Sequence, residues 1–206
     1  MTIALAQLRQ MVRDRLGVPA HDSFFDGSVL DTNINLAVLA VEAEYRWPWS
    51  EAADEVTIPT TGQITVPTNW RATRALLLAN RELEEWPYYD LRWRYGDEQS
   101  GLPTHFSLVD KTLHVRPKPA SDTAAVHIYY TQPDLLASDE DTTRIPTEHV
   151  GVIIAKAAQL SSTREDDRPS AEMHLAEYLT GLERMRKDAK GTTRPQRTRV
   201  REGSWL

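Results

Sequence analysis

Residues 102–149 read LPTHFSLVDKTLHVRPKPASDTAAVHIYYTQPDLLASDEDTTRIPTEH, and the order of segments in this stretch decides the fold class. Phe106 and Leu108, then Leu113 and Val115, alternate at the strand period on either side of Asp110-Lys111, which predicts a hairpin. Pro117-Lys118-Pro119 takes the chain out of it, and Val126, Ile128 and Tyr130 alternate in a further strand. An acidic loop at Asp139-Glu140-Asp141 follows, and Ile145-Pro146 leads into a helix. A small β unit therefore ends here and returns the chain to helices. No residue cluster within it has the composition that a common reaction requires.

On the N-terminal side, Leu5, Leu8, Val12 and Leu16 repeat at helical spacing, and Gly17 and Pro19 stop the pattern. A second stripe, Leu30, Ile34, Ala37, Val38, Val41 and Tyr45, predicts a helix with Ser28 or Asp31 as N-cap and Pro48 as terminator. Strand alternation begins at residues 56–58 and 64–66, across a turn between Pro59 and Gly62. The apolar run 75–79 reads as a buried strand, and 87–95, PYYDLRWRY, as a short helix opened by Pro87. On the C-terminal side, Val150, Ile153, Ala157 and Leu160 mark one helix. Ala171, Leu175, Tyr178, Leu182 and Met185 mark another, opened by Pro169 and capped by Gly191.

The reading is an α+β protein. Helices of 1–50 and 135–190 form one bundle, and 51–134 is an inserted small antiparallel β-sandwich or barrel-like unit of about six strands with a short helix. Residues 191–206 form an extended basic tail, too polar to order alone.

At 206 residues the chain can bury roughly 70% of its unfolded surface. Hydrophobic and charged fractions of 40% and 26% are those of a soluble protein, and no apolar run approaches a membrane span. The first residues lack a signal-peptide pattern, so a cytosolic setting is expected. With no cysteine, disulfides, zinc-thiolate sites and thiol nucleophiles are excluded. A formal charge of −6 argues against uniform wrapping on DNA, although Arg184, Arg186, Lys187, Lys190, Arg194, Arg197, Arg199 and Arg201 make the C-terminal end basic.

The six histidines, His21, His105, His114, His127, His149 and His174, form no HxH, HxxxH or HExxH pair. A cross-strand metal site from His105, His114 and His127 is outweighed by solvent-facing strand histidines, and no metal or cofactor is expected. The acidic loop lacks the glycine and closing glutamate of a calcium loop and reads as solvated. Glu165, Asp166 and Asp167 suit the start of a helix through its dipole. There is no GxSxG, GxxxxGK[ST] or GxGxxG motif.

Aromatic residues remain. Trp47 and Trp49 read as core, whereas Trp86, Tyr88, Tyr89, Arg92 and Trp93 divide between core and protein interface. The tail has three readings: docking on a protein through Arg194, Arg197, Arg199 and Arg201 with Trp205 and Leu206 as apolar anchors, gripping phosphates, or an unattached solubilising end. Two further function classes stand beside the structural one: a hydrolase with a cleft between bundle and β unit, and a DNA-binding module acting through the tail.

The order of short motifs resembles the phage head-tail adaptor family. It rests on Arg46-Trp47-Pro48-Trp49 closing the helix pair, Tyr88-Tyr89-Asp90-Leu91, Leu102-Pro103, Pro117-Lys118-Pro119, Tyr129-Tyr130, Pro133-Asp134-Leu135-Leu136 and Ile145-Pro146 before two closing helices. The resemblance implies a non-enzymatic virion protein, assembled in the host cytoplasm, that forms a ring of about twelve copies under the portal. Such a ring extends the DNA channel and receives a stopper or tail component below. It contacts neither membrane nor specific DNA sequence, and its tail reaches the portal.

Overall fold

The computed structural model describes residues 2–19 and 24–192. The chain divides into two units, one holding the residues up to Pro48 and from Asp134 onward, the other Trp49–Pro133. The fold is mixed α+β: among the described residues there are five α-helices, N- and C-terminal ones packing together, and two four-stranded sheets lie between them in sequence. No described helix is long and apolar enough to cross a membrane.

The helical unit is built around α4 (Val150–Arg164), which packs against α5 (Arg168–Thr192), α2 (Gly27–Glu44) and α1 (Leu5–Leu16). Its small residues explain this centrality. Ala155, Ala157, Ala158, Ser161 and Ser162 are all buried, and their short side chains let neighbouring helices approach closely. Asn33 of α2 donates to Ser161 Oγ at 2.9 Å, and Ser161 Oγ donates in turn to the Ala157 carbonyl at 2.9 Å, so the buried polar groups are paired. Trp47, fully buried as its apolar context predicts, donates its indole N–H to the Val41 carbonyl at 2.7 Å, whereas Trp49 is half-buried.

Gly17 takes φ 69° as the cap of α1. The N-cap of α2 is Asp26, neither Ser28 nor Asp31: its carboxylate accepts from the Val29 N–H at 2.9 Å, which together with a bond from Ser28 Oγ holds its pKa below the usual aspartate value. Gly191 is not a cap, because α5 continues through it to Thr192. The buried stripe of α5 is His174, Tyr178, Leu182, Met185 and Ala189, with Leu175 turned outward. His174 takes the core position that an apolar pattern assigns to Leu175, which turns the face from the expected one.

The acidic loop 139–141 is not simply solvated. The carbonyls of Asp141 and Asp139 accept from the Leu5 and Ala6 N–H groups at 2.9 and 3.3 Å, satisfying donors that the start of α1 leaves open. The Asp139 carboxylate meets Arg9 at 2.9 Å, and that of Asp141 accepts from the Ser138 and Ala137 N–H groups, which lower its pKa. Glu165, Asp166 and Asp167 do precede a helix, and Asp167 Oδ1 accepts from the Ser170 N–H at 3.3 Å.

In the second unit, β1 (Glu51–Ile58), β8 (Thr123–Thr131), β3 (Trp70–Leu78) and β4 (Arg81–Glu82) form one sheet in that order. The other sheet runs β2 (Gln63–Thr65), β7 (Thr112–Arg116), β6 (His105–Val109), β5 (Glu84–Glu85). One core, with Ile58, Ile64, Leu76, Leu83, Phe106, Leu113 and Val115, draws on both sheets. Residues 56–58 and 64–66 therefore do not pair with each other: the Pro59–Gly62 turn carries the chain from one sheet to the other.

The 110–111 hairpin is present, with Asp110 and Lys111 at φ 46° and 60°, the left-handed pair that a two-residue turn demands. Ala79 and Asn80 make a second such turn at φ 48° and 65°, which ends the apolar run one residue early. The sheets are antiparallel except for β5 with β6, which run parallel; the connection through a third helix supplies the crossover that this arrangement needs. On β8 the buried face is Ala125, His127 and Tyr129, while Val126, Ile128 and Tyr130 are only half-buried. Tyr129 donates to Asp54 Oδ2 at 2.8 Å, and burial with this bond pushes its pKa up to about 12.

Candidate functional site

The connection between β5 and β6 carries the exposed aromatic residues. Its helix α3 (Tyr88–Tyr95) starts after Pro87, whose carbonyl accepts from the Leu91 N–H at 3.0 Å, and ends where Gly96, at φ 60°, donates to the Arg92 carbonyl at 2.8 Å. Proline suits the entry because it has no N–H to leave unpaired, and glycine suits the exit because it tolerates positive φ.

Three side chains fix this helix to the sheet. Leu91 is 1% exposed. The Tyr88 ring lies 4.8 Å from that of His114, and Tyr95 Oη pairs with His105 Nδ1 at 2.9 Å. Trp86, pinned by its N–H to the Phe106 carbonyl at 2.8 Å, packs its ring 4.2 Å from His105. Arg94 lies over Trp86 at 5.3 Å and over Tyr95 at 5.9 Å, distances at which the cation is attracted to the ring faces. Arg92 pairs with Asp97 at 2.6 Å.

Fixing one side of α3 leaves the other outward. Tyr89 and Trp93, four residues apart on one helical face, are 78% and 81% exposed. Trp86, Pro87, Asp90, Trp93 and Arg94 line a shallow depression of about 390 Å³ beside them. Two rings of this size present on the order of 300 Å² to a partner, on a support too constrained to lose much entropy on docking. Exposed aromatic rings with Arg at the edge are the residue types that dominate protein contacts.

Of the five residues singled out from sequence in this segment, Tyr89, Arg92 and Trp93 are exposed, and Trp86 and Tyr88 are half-buried beneath them. Asp90 and Arg94 were missed as members; their i, i+4 spacing on the same short helix was the available signal. The tail residues Arg194, Arg197, Arg199, Arg201, Trp205 and Leu206 lie outside the described residues.

The histidines do not converge. His105 and His114 stand on paired strands of one sheet, and His127 belongs to the other. None faces solvent freely: His105 Nε2 is 3.3 Å from Glu84, His114 packs on Tyr88, and His127 is 0% exposed with Nε2 3.1 Å from Thr73 Oγ1. His149 and His174 are buried in the helical unit, and His21 lies outside the described residues. Among the described residues no group of three or more acids and histidines is placed to hold a metal ion.

A protein-family model described as SU10 adaptor protein matches residues 3–201, nearly the whole chain. No curated protein matches at a significant level.

Proposed function

Because the chain belongs to the SU10 adaptor protein family, and is therefore a phage head-tail adaptor that binds other virion proteins and is not an enzyme, we propose that it works as a closed ring of about twelve copies. The ring sits beneath the portal, extends the DNA channel, and joins the capsid vertex to a stopper or tail component. Its net charge of −6 suits a channel through which DNA passes without sticking. The tail, with Arg194, Arg197, Arg199, Arg201, Trp205 and Leu206, docks on the portal; Tyr89, Arg92 and Trp93, backed by Trp86 and Tyr88, contact a neighbouring subunit.

The observation that carries the subunit contact is the exposure of Tyr89 and Trp93 on a helix held by three other side chains. Monomeric proteins rarely leave such residues in water without a partner. Electron microscopy of particles assembled with wild-type chain, with a Tyr89→Ala/Trp93→Ala double variant, and with a chain truncated after Gly191 tests the scheme. The double variant is expected to leave no ring, and the truncated chain to leave portal vertices bare. Normal particles from both variants would remove these assignments, and a vertex lacking this protein altogether in wild-type particles would remove the ring.

A further inference from the structure

The helical unit holds a cleft of about 300 Å³ where the start of α4 meets α5 and the end of α1. Small residues open it. Gly151, Ala155 and Gly181 send no long side chain into the space, and Gly181 lies so close to Val152 that an added Cβ would fall 2.6 Å from its Cγ2. Arg15 of α1 pairs with Glu177 of α5 along one wall. Two other charges that line the cleft are exposed and make no ion pair with any described residue: Glu148, just ahead of α4, and Arg184 on α5.

In the other unit, α3 has the converse features. Trp93 is 81% exposed on a helix that Leu91, Tyr88 and Tyr95 hold in place. Asp90, one turn earlier, and Arg94, the next residue, line the same depression as Trp93, and both are exposed. Asp90 makes no ion pair with any described residue. Arg94 is engaged by the rings of Trp86 and Tyr95 and by no acid among the described residues. The chain therefore carries a protruding indole flanked by an acid and a cation, and a cleft edged by a cation and an acid. Size agrees with charge, since a cavity of about 150 Å³ takes a benzene ring and this cleft has twice that volume.

We infer that Trp93 of one copy enters the cleft between α4 and α5 of the next, with Asp90 meeting Arg184 and Arg94 meeting Glu148 across the contact. This rests on the ring reading above and names the surface that the aromatic helix meets. A second copy is the occupant because both halves of the fit are on one chain. A projection and a recess on different faces give the head-to-tail contact that a closed ring repeats. The indole supplies the desolvated anchor and the charges its rim. The signs also fix the orientation, because the reverse placement sets Asp90 against Glu148 and Arg94 against Arg184, and like charges repel.

The chain has no cysteine, which makes the test direct. Particles are assembled with the full chain as Asp90→Cys/Arg184→Cys and as each single variant, treated with a short bismaleimide, and separated under denaturing conditions. The double variant is expected to give a ladder of covalent multimers about tenfold above either single variant, because the contact joins two different faces. Charge reversal gives a second reading. Asp90→Arg and Arg184→Asp are each expected to lower particle yield about tenfold, and their combination to restore it. Restoration supports the contact even where the cysteine variant fails to assemble. A ring seen at the vertex by electron microscopy, with no ladder and no restoration, overturns this contact and leaves the ring standing. Wild-type particles without a ring overturn both. Single variants that cross-link as strongly as the double show a symmetric contact and also overturn the proposal.

Discussion

Arg144 donates to both carboxylate oxygens of Glu42, at 3.0 and 3.3 Å, and Glu42 is 0% exposed. This pair ties the segment that leads into α4 to the C-terminal end of α2. Arg144→Ala removes the two hydrogen bonds that this guanidinium gives a buried carboxylate and is expected to lower stability by about 3 to 5 kcal/mol. Replacing both, as Glu42→Leu/Arg144→Met, is expected to recover most of that loss. Urea denaturation of the two variants decides the matter: equal losses would mean that the pair itself stabilises the fold.

His127 makes stability depend on pH in the weakly acidic range. Burial lowers its pKa from 6.5, with Asp54 opposing in part, so the unfolded chain takes up this proton first as pH falls. Stability from this group is complete above about pH 6.5 and declines below it. His114 shifts in the same direction, through burial first and Arg116 second. Thermal melts between about pH 7.5 and 5.5 should show Tm falling, and His127→Phe should flatten the slope. An unchanged slope in that variant would assign the dependence elsewhere.

Gly62 takes φ +68°, and a Cβ there would meet the Val115 carbonyl oxygen at 2.7 Å and an Arg116 guanidinium nitrogen at 2.9 Å. Left-handed strain alone is worth about 1 to 2 kcal/mol for an alanine, and the contact with backbone adds to it. Gly62→Ala is therefore expected to lower stability by more than about 2 kcal/mol. Gly17→Ala, left-handed at φ 69° and ψ 23° but with nothing within 4 Å, should lose only the strain. Guanidinium unfolding of both separates the two contributions.

Tyr89→Ala and Trp93→Ala remove exposed rings, so each should change monomer stability by less than about 0.5 kcal/mol. If they are docking anchors, each should weaken assembly by about 2 kcal/mol or more, roughly 30-fold in affinity. Leu91→Ala is the contrasting case, since Leu91 is buried and its loss should cost about 2 to 5 kcal/mol of stability. Melting curves and assembly titrations on the same samples test the split; a destabilised Trp93 variant would make it a packing residue.

Most elements and their order are legible in the sequence because the signals are local. The exceptions are β4 and β5, two residues each and too short to show alternation, so the pattern predicts about six strands and eight are present among the described residues. Gly17 ends α1 through its own backbone freedom, Asp110-Lys111 turns a hairpin whose strands are adjacent in the chain, and Pro87 and Gly96 bracket α3. The membership in an adaptor family was legible for the same reason, as an order of short motifs. Which strands meet is settled across the chain, since β1 pairs with β8 across the whole insert and a turn gives no information about pairing at that distance. Which face is core is settled the same way. Along β8 both alternating sets contain residues that can be buried, and the partner strands selected Ala125, His127 and Tyr129. Likewise the charged loop at 139–141 acquires its role only when it reaches the open N–H groups of α1, more than a hundred residues away. Pairing, burial and capping across such separations are set by which surfaces close on one another, and that competition is resolved by the folded chain as a whole.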